Sequence, residues 1–332
     1  MNKSLGIYNL IDSDEINESI KRVVDSNVNF NTYVSPKGLK DLRIKIADFI
    51  KNTWDYQGSY KDIMITSGSQ QSINLIAYSL FNDDDVILVE QPTYFGAIDV
   101  FKKRNIKLVG IDLYDDGFDL KELDEKIMKY RPKAIYVTPT FNNPTGYAWS
   151  NEAREDFLNI INKYDVLVIE DDPYSLINYT DYKYRTLYEM NKGKNIIYLG
   201  TFSKLISPAI NVGYIVCDNE NMNYLYSYKN SFDLCTSAFL QYIVLDFLTN
   251  NDLSKLIDLK KRVYKKLLKE SVEKISSNSK VISYTKSKGG LFYKVNLLDN
   301  VNEEEYESLG GYYIDGDHKK ETRINICSFL DK

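Results

Sequence analysis

The 332-residue chain is 43% hydrophobic and 27% charged, with a formal net charge of -5 and an isoelectric point near 5.2. That composition is typical of a globular protein long enough for one large domain and a smaller one. The acidic balance, without a basic cluster, argues against nucleic acid as the main partner. The N-terminal residues do not resemble a signal peptide, and no apolar run is long enough to span a membrane. The sequence therefore predicts a soluble, cytoplasmic protein.

Cysteine and histidine are too sparse for several kinds of site. Cys217, Cys235 and Cys327 are widely spaced and odd in number, which predicts reduced thiols and neither a disulfide framework nor a zinc site. The only histidine, His318, lies in the polar stretch DGDHKK. These observations argue against a Ser-His-Asp hydrolase and a histidine-rich site, and we expect no metal. Any proton transfer must use another side chain.

Short apolar runs alternate with helical patterns in the first two thirds of the chain. The seven predicted strands are 63–66, 86–90, 107–111, 134–138, 166–170, 196–200 and 212–216, and the helical patterns between them include 70–80, 94–103, 120–130 and 151–163. Several of the runs, such as VLVIE, are apolar throughout, as expected of a parallel sheet covered on both faces. The alternation predicts an α/β doubly wound domain, whose ligands lie beyond the carboxyl ends of the strands.

The pattern changes at about residue 217. Helical stretches at 219–231, 238–250 and 253–275 lead into short strands at 281–284, 291–295 and 323–326, which indicates a second, smaller α+β domain. We therefore divide the chain into three parts. These are an N-terminal arm (1–45) packing partly with the small domain, a large α/β domain (46–216), and a helical connection with a small C-terminal domain (217–332).

Polar or turn-forming residues follow five of the predicted strands. The five segments are 67–71, 91–94, 139–146, 171–174 and 201–204. The first opens a helix with a glycine, an arrangement that favours an anion such as phosphate or serves as a plain N-cap. The third contains two prolines and a glycine, which predicts a rigid loop able to present the amide of Asn143. Each segment alone is weak evidence, and the five together favour a ligand site.

Two of these segments carry charges that need an explanation. Asp171 follows a buried strand, where a carboxylate is costly unless it is paired. A protonated heterocyclic nitrogen would be such a partner, whereas an ordinary helix cap is the alternative. Lys204 follows the predicted strand at 196–200, beside hydroxyl side chains. At the floor of a cleft its pKa would be lowered, so that it could form a Schiff base with an aldehyde; the alternative is a solvated surface lysine.

At these residues the chain resembles a family. The strings TSGSQQ, EQPTYFGA, PTFNNPTG, EDDPY and GTFSK, which span roughly residues 30–216, resemble fold-type I enzymes of the class I/II aminotransferase family that use pyridoxal 5′-phosphate (PLP). The resemblance is strongest to the branch with aminoadipate and kynurenine aminotransferases and the aminotransferase-like domains of MocR-type regulators. It implies a doubly wound, mostly parallel seven-stranded sheet with a second, smaller α+β domain, shortened here.

The resemblance also implies roles around the cofactor ring. Lys204 would hold the PLP aldehyde as a Schiff base and carry the proton between the substrate and the cofactor. Asp171 would pair with the pyridine N–H and keep the ring an electron sink. Asn143 and Tyr174 would hydrogen-bond the phenolic oxygen of the ring, and Tyr94 would stack on its face.

The other implied roles concern the phosphate, the substrate and the partner subunit. The implied phosphate-binding residues are Gly68, Ser69, Gln70, Thr201 and Ser203. Tyr33 matches a tyrosine that reaches the phosphate site of a neighbouring subunit, which implies a homodimer with shared active sites. Arg323, with Asn143 beside it, would bind the substrate carboxylate through its planar fork of N–H donors. The partners implied are an α-amino acid and a 2-oxo acid.

Two departures from the family pattern stand out. Asn211 occupies the place of an arginine that binds the phosphate, and a charge-assisted bond of that kind is worth about 1.5–3 kcal/mol. PLP affinity would then fall by one or two orders of magnitude (about 1.4 kcal/mol per order), unless another cation compensates. The small domain is short of residues before Arg323, and we expect the polar stretch at 300–320 to be more loop than core, which weakens the assignment of Arg323.

Three functions therefore remain open. The first is an aminotransferase. The second is another PLP reaction on an amino acid, such as elimination or decarboxylation, because the cofactor pocket is shared. The third is a non-catalytic, degenerate ligand-binding domain, suggested by Asn211 and the short small domain. We expect no DNA-binding segment ahead of the PLP domain. The side chain of the substrate is not readable from the sequence.

Overall fold

The computed structural model describes residues 13–54, 57–302, 306, 308–316, 318 and 320–329. Within that part of the chain the main sheet has eight strands in the order β1-β8-β7-β6-β5-β2-β3-β4. They are β1 (Ile63–Thr66), β2 (Val86–Gln91), β3 (Lys107–Tyr114), β4 (Gly117–Phe118), β5 (Ala134–Val137), β6 (Leu167–Asp172), β7 (Ile196–Thr201) and β8 (Gly213–Val216). The five central strands β7, β6, β5, β2 and β3 are parallel, whereas β8 is antiparallel to both of its neighbours. The seven predicted strands are all present, and the eighth, β4, is a two-residue strand paired with β3.

Ten α-helices accompany the strands in the described residues. They are α1 (Ser13–Asp25), α2 (Lys40–Thr53), α3 (Gly68–Leu80), α4 (Phe95–Lys103), α5 (Leu120–Tyr130), α6 (Asn151–Tyr164), α7 (Leu187–Met190), α8 (Asn219–Phe232), α9 (Ala238–Asn250) and α10 (Leu253–Ser276). A second, antiparallel sheet has the order β11-β10-β9, with β9 at Val281–Tyr284, β10 at Phe292–Leu297 and β11 at Glu321–Asn325. This arrangement confirms the predicted α/β architecture with a smaller α+β part.

The main sheet is covered on both faces. One cluster of buried side chains joins the sheet to α3, α4 and α8, and includes Ile73, Phe101 and Leu225. Another joins it to α5 and α6, and includes Leu123 and Phe157. Burial on both faces explains why the strands are mainly apolar, since neither face meets water. Each fully buried aliphatic or aromatic side chain contributes roughly 1.5–3 kcal/mol through removal of apolar surface from water.

The N-terminal helices pack on the helices that follow the main sheet. Helix α1 contacts α9, where Arg22 donates to Asp246 at 2.7 Å, and α2 also contacts α9. The domain boundaries at residues 45 and 216 stay predictions. Among the described residues, no helix is both long and apolar enough to cross a membrane.

The expectation that the polar stretch at 300–320 is more loop than core is confirmed for most of its described residues, but not for all of them. Part of the polar stretch at 300–320 is buried: Leu309 is 1% exposed, Tyr312 3% and Tyr313 8%. A short 3₁₀ helix at Leu309–Tyr312 lies against α4, one of the helices that cover the main sheet. The sequence predicts a loop there because it has no periodic apolar pattern, whereas its burial comes from contacts with residues more than two hundred positions away.

A buried arginine fixes the loop that follows β5. Arg154 on α6 is 0% exposed, and it donates to the carbonyls of Trp149, Arg185 and Pro139 and to the hydroxyl of Thr140, at 2.9–3.1 Å. Its guanidinium lies 4.0 Å from the carboxylate of Glu170. These bonds satisfy carbonyl groups that would otherwise be buried without donors.

We expect Arg154→Met to lower the free energy of unfolding by roughly 3–5 kcal/mol, because it leaves the Glu170 carboxylate without its charge partner in the interior. Urea unfolding followed by circular dichroism measures the change. Arg185→Ala is the matched control, since its side chain is 43% exposed and pairs with Glu189 one turn away; we expect a loss of no more than about 0.5 kcal/mol. Equal losses in the two variants would contradict a special role for the buried guanidinium.

Candidate active site

The ends of the parallel strands enclose a cavity of about 190 Å³. Twelve residues were assigned to the site from the sequence, and ten of them line this cavity. They are Ser69, Gln70, Tyr94, Asn143, Asp171, Tyr174, Thr201, Ser203, Lys204 and Arg323. Parallel strands end at the same edge of a sheet, which is why residues far apart in the chain meet there. The other lining residues include Phe95, Leu291 and Phe292.

Asp171 is buried at one end of the cavity with half of its carboxylate unbonded. It is 3% exposed, and its Oδ2 accepts a hydrogen bond of 2.6 Å from the hydroxyl of Tyr136. Its Oδ1 has no partner among the described residues. Burial raises the pKa of Asp171 to about 7, against the opposing effect of the Tyr136 hydrogen bond and with a smaller contribution from Asp172. A cationic N–H in the cavity would both pair this oxygen and lower that pKa.

A group of polar side chains lies where α3 begins. Gly68 has φ of +76°, and a Cβ there would collide with Oδ1 of Asn211, so the position requires glycine. The hydroxyl of Ser69 is buried and has no partner among the described residues. On the facing strand end, the backbone N–H of Ser203 donates to Oγ1 of Thr201 at 3.1 Å. The N-terminus of a helix and neutral donors make this end suited to an anion.

Lys204 lies between these groups in a half-buried position. Burial lowers the pKa of its amine, the charge of Arg323 lowers it further, and Cys327 acts in the opposite direction. Behind it, Lys260 of α10 is 2% exposed and donates from Nζ to the backbone carbonyl of Lys204 at 3.0 Å. Burial lowers the pKa of Lys260 to about 8. Lys260 therefore fixes the main chain that carries Lys204.

Arg323 reaches the cavity from the small sheet. Its Nη1 donates to Oδ1 of Asn143 at 2.8 Å, and its guanidinium lies over the rings of Phe292 and Tyr312 at 4.3 and 5.2 Å. Tyr174 is 4% exposed, and burial is the main cause of its raised pKa, so its hydroxyl remains protonated. The short small domain thus does bring Arg323 to the site.

Two further contacts shape the walls of the cavity. The hydroxyl of Tyr94 donates to Oε1 of Gln70 at 3.1 Å, which joins the starts of α4 and α3. Glu90, at the end of β2, accepts from the backbone N–H of Thr138 and from Nδ2 of Asn142 at 2.9 and 2.8 Å. Burial raises the pKa of Glu90 to about 8. These bonds tie the loop at 139–146 to the sheet.

The structure also shows where sequence reasoning fell short. Tyr33 is 85% exposed and does not line the cavity of its own chain. Tyr136, Lys260 and Tyr312 were missed. Tyr136 had a usable signal, because it lies near the end of the strand beside the one that carries Asp171. Lys260 and Tyr312 had none, because their contacts with the site depend on the packing of the small domain.

Comparison with known proteins identifies the family. The model of the family "Aminotransferase class I and II" matches residues 2–309. The chain belongs to this family. It is 31% identical over 297 residues to aromatic-amino-acid aminotransferase 1 of Thermococcus litoralis, covering 86% of this chain and 71% of that protein. It is 28% identical over 300 residues to 2-aminoadipate transaminase of Thermus thermophilus, covering 89% and 74%.

A solved structure with a PLP-derived ligand has the same fold. LysN, an α-aminoadipate aminotransferase from Thermus thermophilus in complex with N-(5′-phosphopyridoxyl)-L-leucine, superposes with a TM-score of 0.87 at 25% identity, covering 95% of this chain and 83% of that one. This chain is therefore a class I/II aminotransferase with PLP as its cofactor. Its residues fit that group, because the unbonded oxygen of Asp171 suits a pyridine N–H and the hydroxyl of Ser69 suits a phosphate.

We expect the pH dependence of the apoenzyme's stability to reveal Asp171. The pKa of this carboxyl is about 7 in the folded chain against 3.8 ordinarily, so its contribution to stability is fully present below pH 4 and is lost as the pH rises through 7. This difference of about 3 pKa units corresponds to roughly 4 kcal/mol at about 1.4 kcal/mol per pKa unit. Asp171→Asn should remove this loss.

Urea unfolding of the PLP-free proteins at pH 4.5, 6 and 8 measures the effect. Between pH 4.5 and pH 8, the free energy of unfolding should fall further in the wild type than in Asp171→Asn. A constant effect of the amide on stability does not alter this comparison, because it shifts the whole curve of the variant equally. Asp172→Asn is a useful comparison, because Asp172 already accepts from Tyr198 and Ser175 and should flatten the curve less. Parallel curves for wild type and Asp171→Asn would show that the Asp171 carboxyl titrates normally in the folded apoenzyme.

Proposed function

We propose that this aminotransferase moves an amino group from an α-amino acid to a 2-oxo acid, with Lys204 as the covalent anchor of PLP and as the proton carrier. One observation carries the proposal: the amine of Lys204 and the guanidinium of Arg323 face the same cavity as the unbonded oxygen of Asp171. An α-amino acid offers a carboxylate and an amine on one carbon. The cavity provides a cation for the first and a reactive position for the second.

The properties of Lys204 suit both parts of its role. Its lowered pKa increases the fraction of neutral amine near neutral pH, and only the neutral amine is a nucleophile or a base. The bond from Lys260 to the carbonyl of Lys204 holds the main chain, so that the side chain pivots about a fixed point. When bound, PLP supplies an electron sink for the bond electrons released at the substrate Cα.

Asp171, Asn143 and Tyr174 would hold the cofactor ring. Asp171 would accept the pyridine N–H through Oδ1, while Tyr136 keeps Oδ2 in place. The hydroxyl of Tyr174 and the amide of Asn143 would donate to the phenolic oxygen of the ring. Since Oδ1 of Asn143 already accepts from Arg323, its amide nitrogen would be the part that binds the cofactor. Tyr94 would lie on the ring face.

The phosphate would be held by neutral donors. Ser69, Thr201, Ser203 and Asn211 line that end of the cavity, and the cations among the described lining residues are Lys204 and Arg323. The start of α3 adds its unpaired N–H groups and a favourable dipole, worth about 0.3–1 kcal/mol for an exposed anion. We therefore expect PLP to bind, but less tightly than in a site with an arginine at position 211.

We also propose that the enzyme works as a cytoplasmic homodimer. Tyr33 would reach the phosphate site of the partner subunit, and its 85% exposure leaves it available for that contact. An amino acid and a 2-oxo acid would be the substrates. Other PLP reactions would use the same cavity, and the products distinguish them: elimination releases ammonia, whereas transamination leaves the amino group on the acceptor.

We expect Lys204→Ala to abolish the yellow absorption band that wild type shows after loading with PLP and removal of the excess. We expect it to slow transamination by about 10²–10⁴-fold, the range associated with loss of one acid-base group. Lys103→Ala, on an exposed position of α4, is the matched control and should behave as wild type. The assay follows the new amino acid formed from a panel of donors with 2-oxoglutarate.

Other outcomes would favour the alternatives. A wild type that takes up no PLP at saturating concentration would point to a degenerate domain, with Asn211 as the reason. A wild type that binds PLP and releases ammonia and a 2-oxo acid, with no amino group on the acceptor, would indicate a lyase. Wild-type transamination by Lys204→Ala would overturn the assignment of this lysine.

A further inference from the structure

Arg323 contacts a segment that lies mostly beyond the residues matched by the family model. Arg323 lies on β11, an edge strand of the small sheet that pairs with β10; among the described residues, Thr322 of β11 also forms a single bridge to Ser308. A long side chain on an edge strand needs additional contacts if its guanidinium is to stay in one orientation. The family match ends at residue 309, shortly before the residues that supply those contacts.

Residues 308–316, which we call the strap, are anchored to the large sheet beyond β2. The backbone N–H of Thr93 donates to the carbonyl of Tyr312 at 2.8 Å, and Thr93 is 0% exposed. The side chain of Gln91 makes two further bonds: its Oε1 accepts from the backbone N–H of Ile314 at 3.2 Å, and its Nε2 donates to Asp315 at 2.5 Å. The strap therefore joins the small sheet to the end of a strand beside the cofactor cavity.

The ring of Tyr312 connects this anchor to the substrate end of the cavity. It lies 5.2 Å from the guanidinium of Arg323 and packs edge-to-face with Phe95, with ring centroids 5.3 Å apart. Phe292 also lies under the same guanidinium, at 4.3 Å. Contacts of this kind are made to the flat face of a guanidinium and leave its N–H donors, which lie in the plane, available.

We propose that Tyr312 is a positioning residue for the substrate carboxylate: the strap holds its ring against Arg323 and Phe95, and so fixes the guanidinium in the orientation that binds the acid. One N–H of Arg323 is taken by Asn143, and the others would bind the substrate carboxylate. This inference rests on the proposed function, because it assumes that Arg323 binds the substrate carboxylate.

The test measures binding of acids that cannot react. Propionate carries only the carboxylate and a short apolar tail, and 3-phenylpropionate adds an aromatic ring; neither has an amine. Calorimetric titration of PLP-loaded enzyme with each acid should show Tyr312→Ala binding both about tenfold more weakly than wild type, the scale expected for loss of a partly desolvated cation–π contact. Tyr312→Phe should bind within about threefold of wild type, because it keeps the ring faces.

Kinetics separate positioning from damage to the fold or to the cofactor site. Tyr312→Ala should raise KM for the amino acid about tenfold while kcat and the PLP absorption band stay close to wild type, since Tyr312 does not line the cofactor cavity. Gln91→Ala keeps the ring but removes two of the anchors of the strap, and should raise KM in the same direction. This second variant keeps the test decisive if Tyr312→Ala does not fold.

Two results would overturn the inference. One is unchanged affinity for both acids in Tyr312→Ala and Gln91→Ala. The other is a Tyr312→Phe variant as weak as Tyr312→Ala, because the ring would then not be the cause. If wild type transaminates and these variants keep its KM as well as its acid affinity, only the role of the strap is removed, whereas a wild type without transamination would remove the proposed function itself.

Discussion

The burial of Asp171 is the constraint on which the site depends. A carboxylate in the interior costs several kcal/mol unless it is paired, and this one is 3% exposed with only Oδ2 bonded. Strand β6 fixes its position through parallel pairing with β5 and β7, so the group cannot move towards solvent. In the proposed site, a ring nitrogen that carries a proton would satisfy the remaining oxygen. Because PLP would bind the folded chain and not the unfolded chain, its binding would also stabilise the fold.

Other buried charges around the cavity serve the main chain. Arg154 satisfies three carbonyls near the ends of β5 and β6, Glu170 accepts the first N–H groups of α7, and Glu90 accepts from the N–H of Thr138 and the amide of Asn142 after β5. These hydrogen bonds hold loop segments that have no regular secondary structure to fix them. The rigid loops in turn fix Asn143, and through Asn143 one end of Arg323. The buried polar groups therefore help to position the side chains that line the cavity.

The fold and most of the site were readable from the sequence because both follow from local patterns. Continuous apolar runs indicated the strands, and the residues after parallel strands meet at one edge, which is how Asp171 and Lys204 were found to belong together. β4 was missed because two residues carry no pattern. The strap was missed because its polar sequence is buried through bonds from Gln91 and Thr93, more than two hundred residues earlier. The sequence of one chain carries no pattern for a contact with a second chain, such as the contact assigned to Tyr33.

The distribution of charge in the cavity has a consequence for how PLP is retained. Both cations of the described lining, Lys204 and Arg323, are assigned to the reactive and substrate ends, and the phosphate end offers neutral donors and the start of α3. Neutral hydrogen bonds contribute about 0.5–1.5 kcal/mol each, against about 1.5–3 kcal/mol for bonds to a charged group. In the proposed mechanism, the covalent bond to Lys204 would then be the strongest tie to the cofactor. We therefore expect each stage of the reaction that frees Lys204 to weaken the hold on PLP. The proposed contact of Asp171 with the ring would then matter more in this chain than it would beside an arginine at position 211.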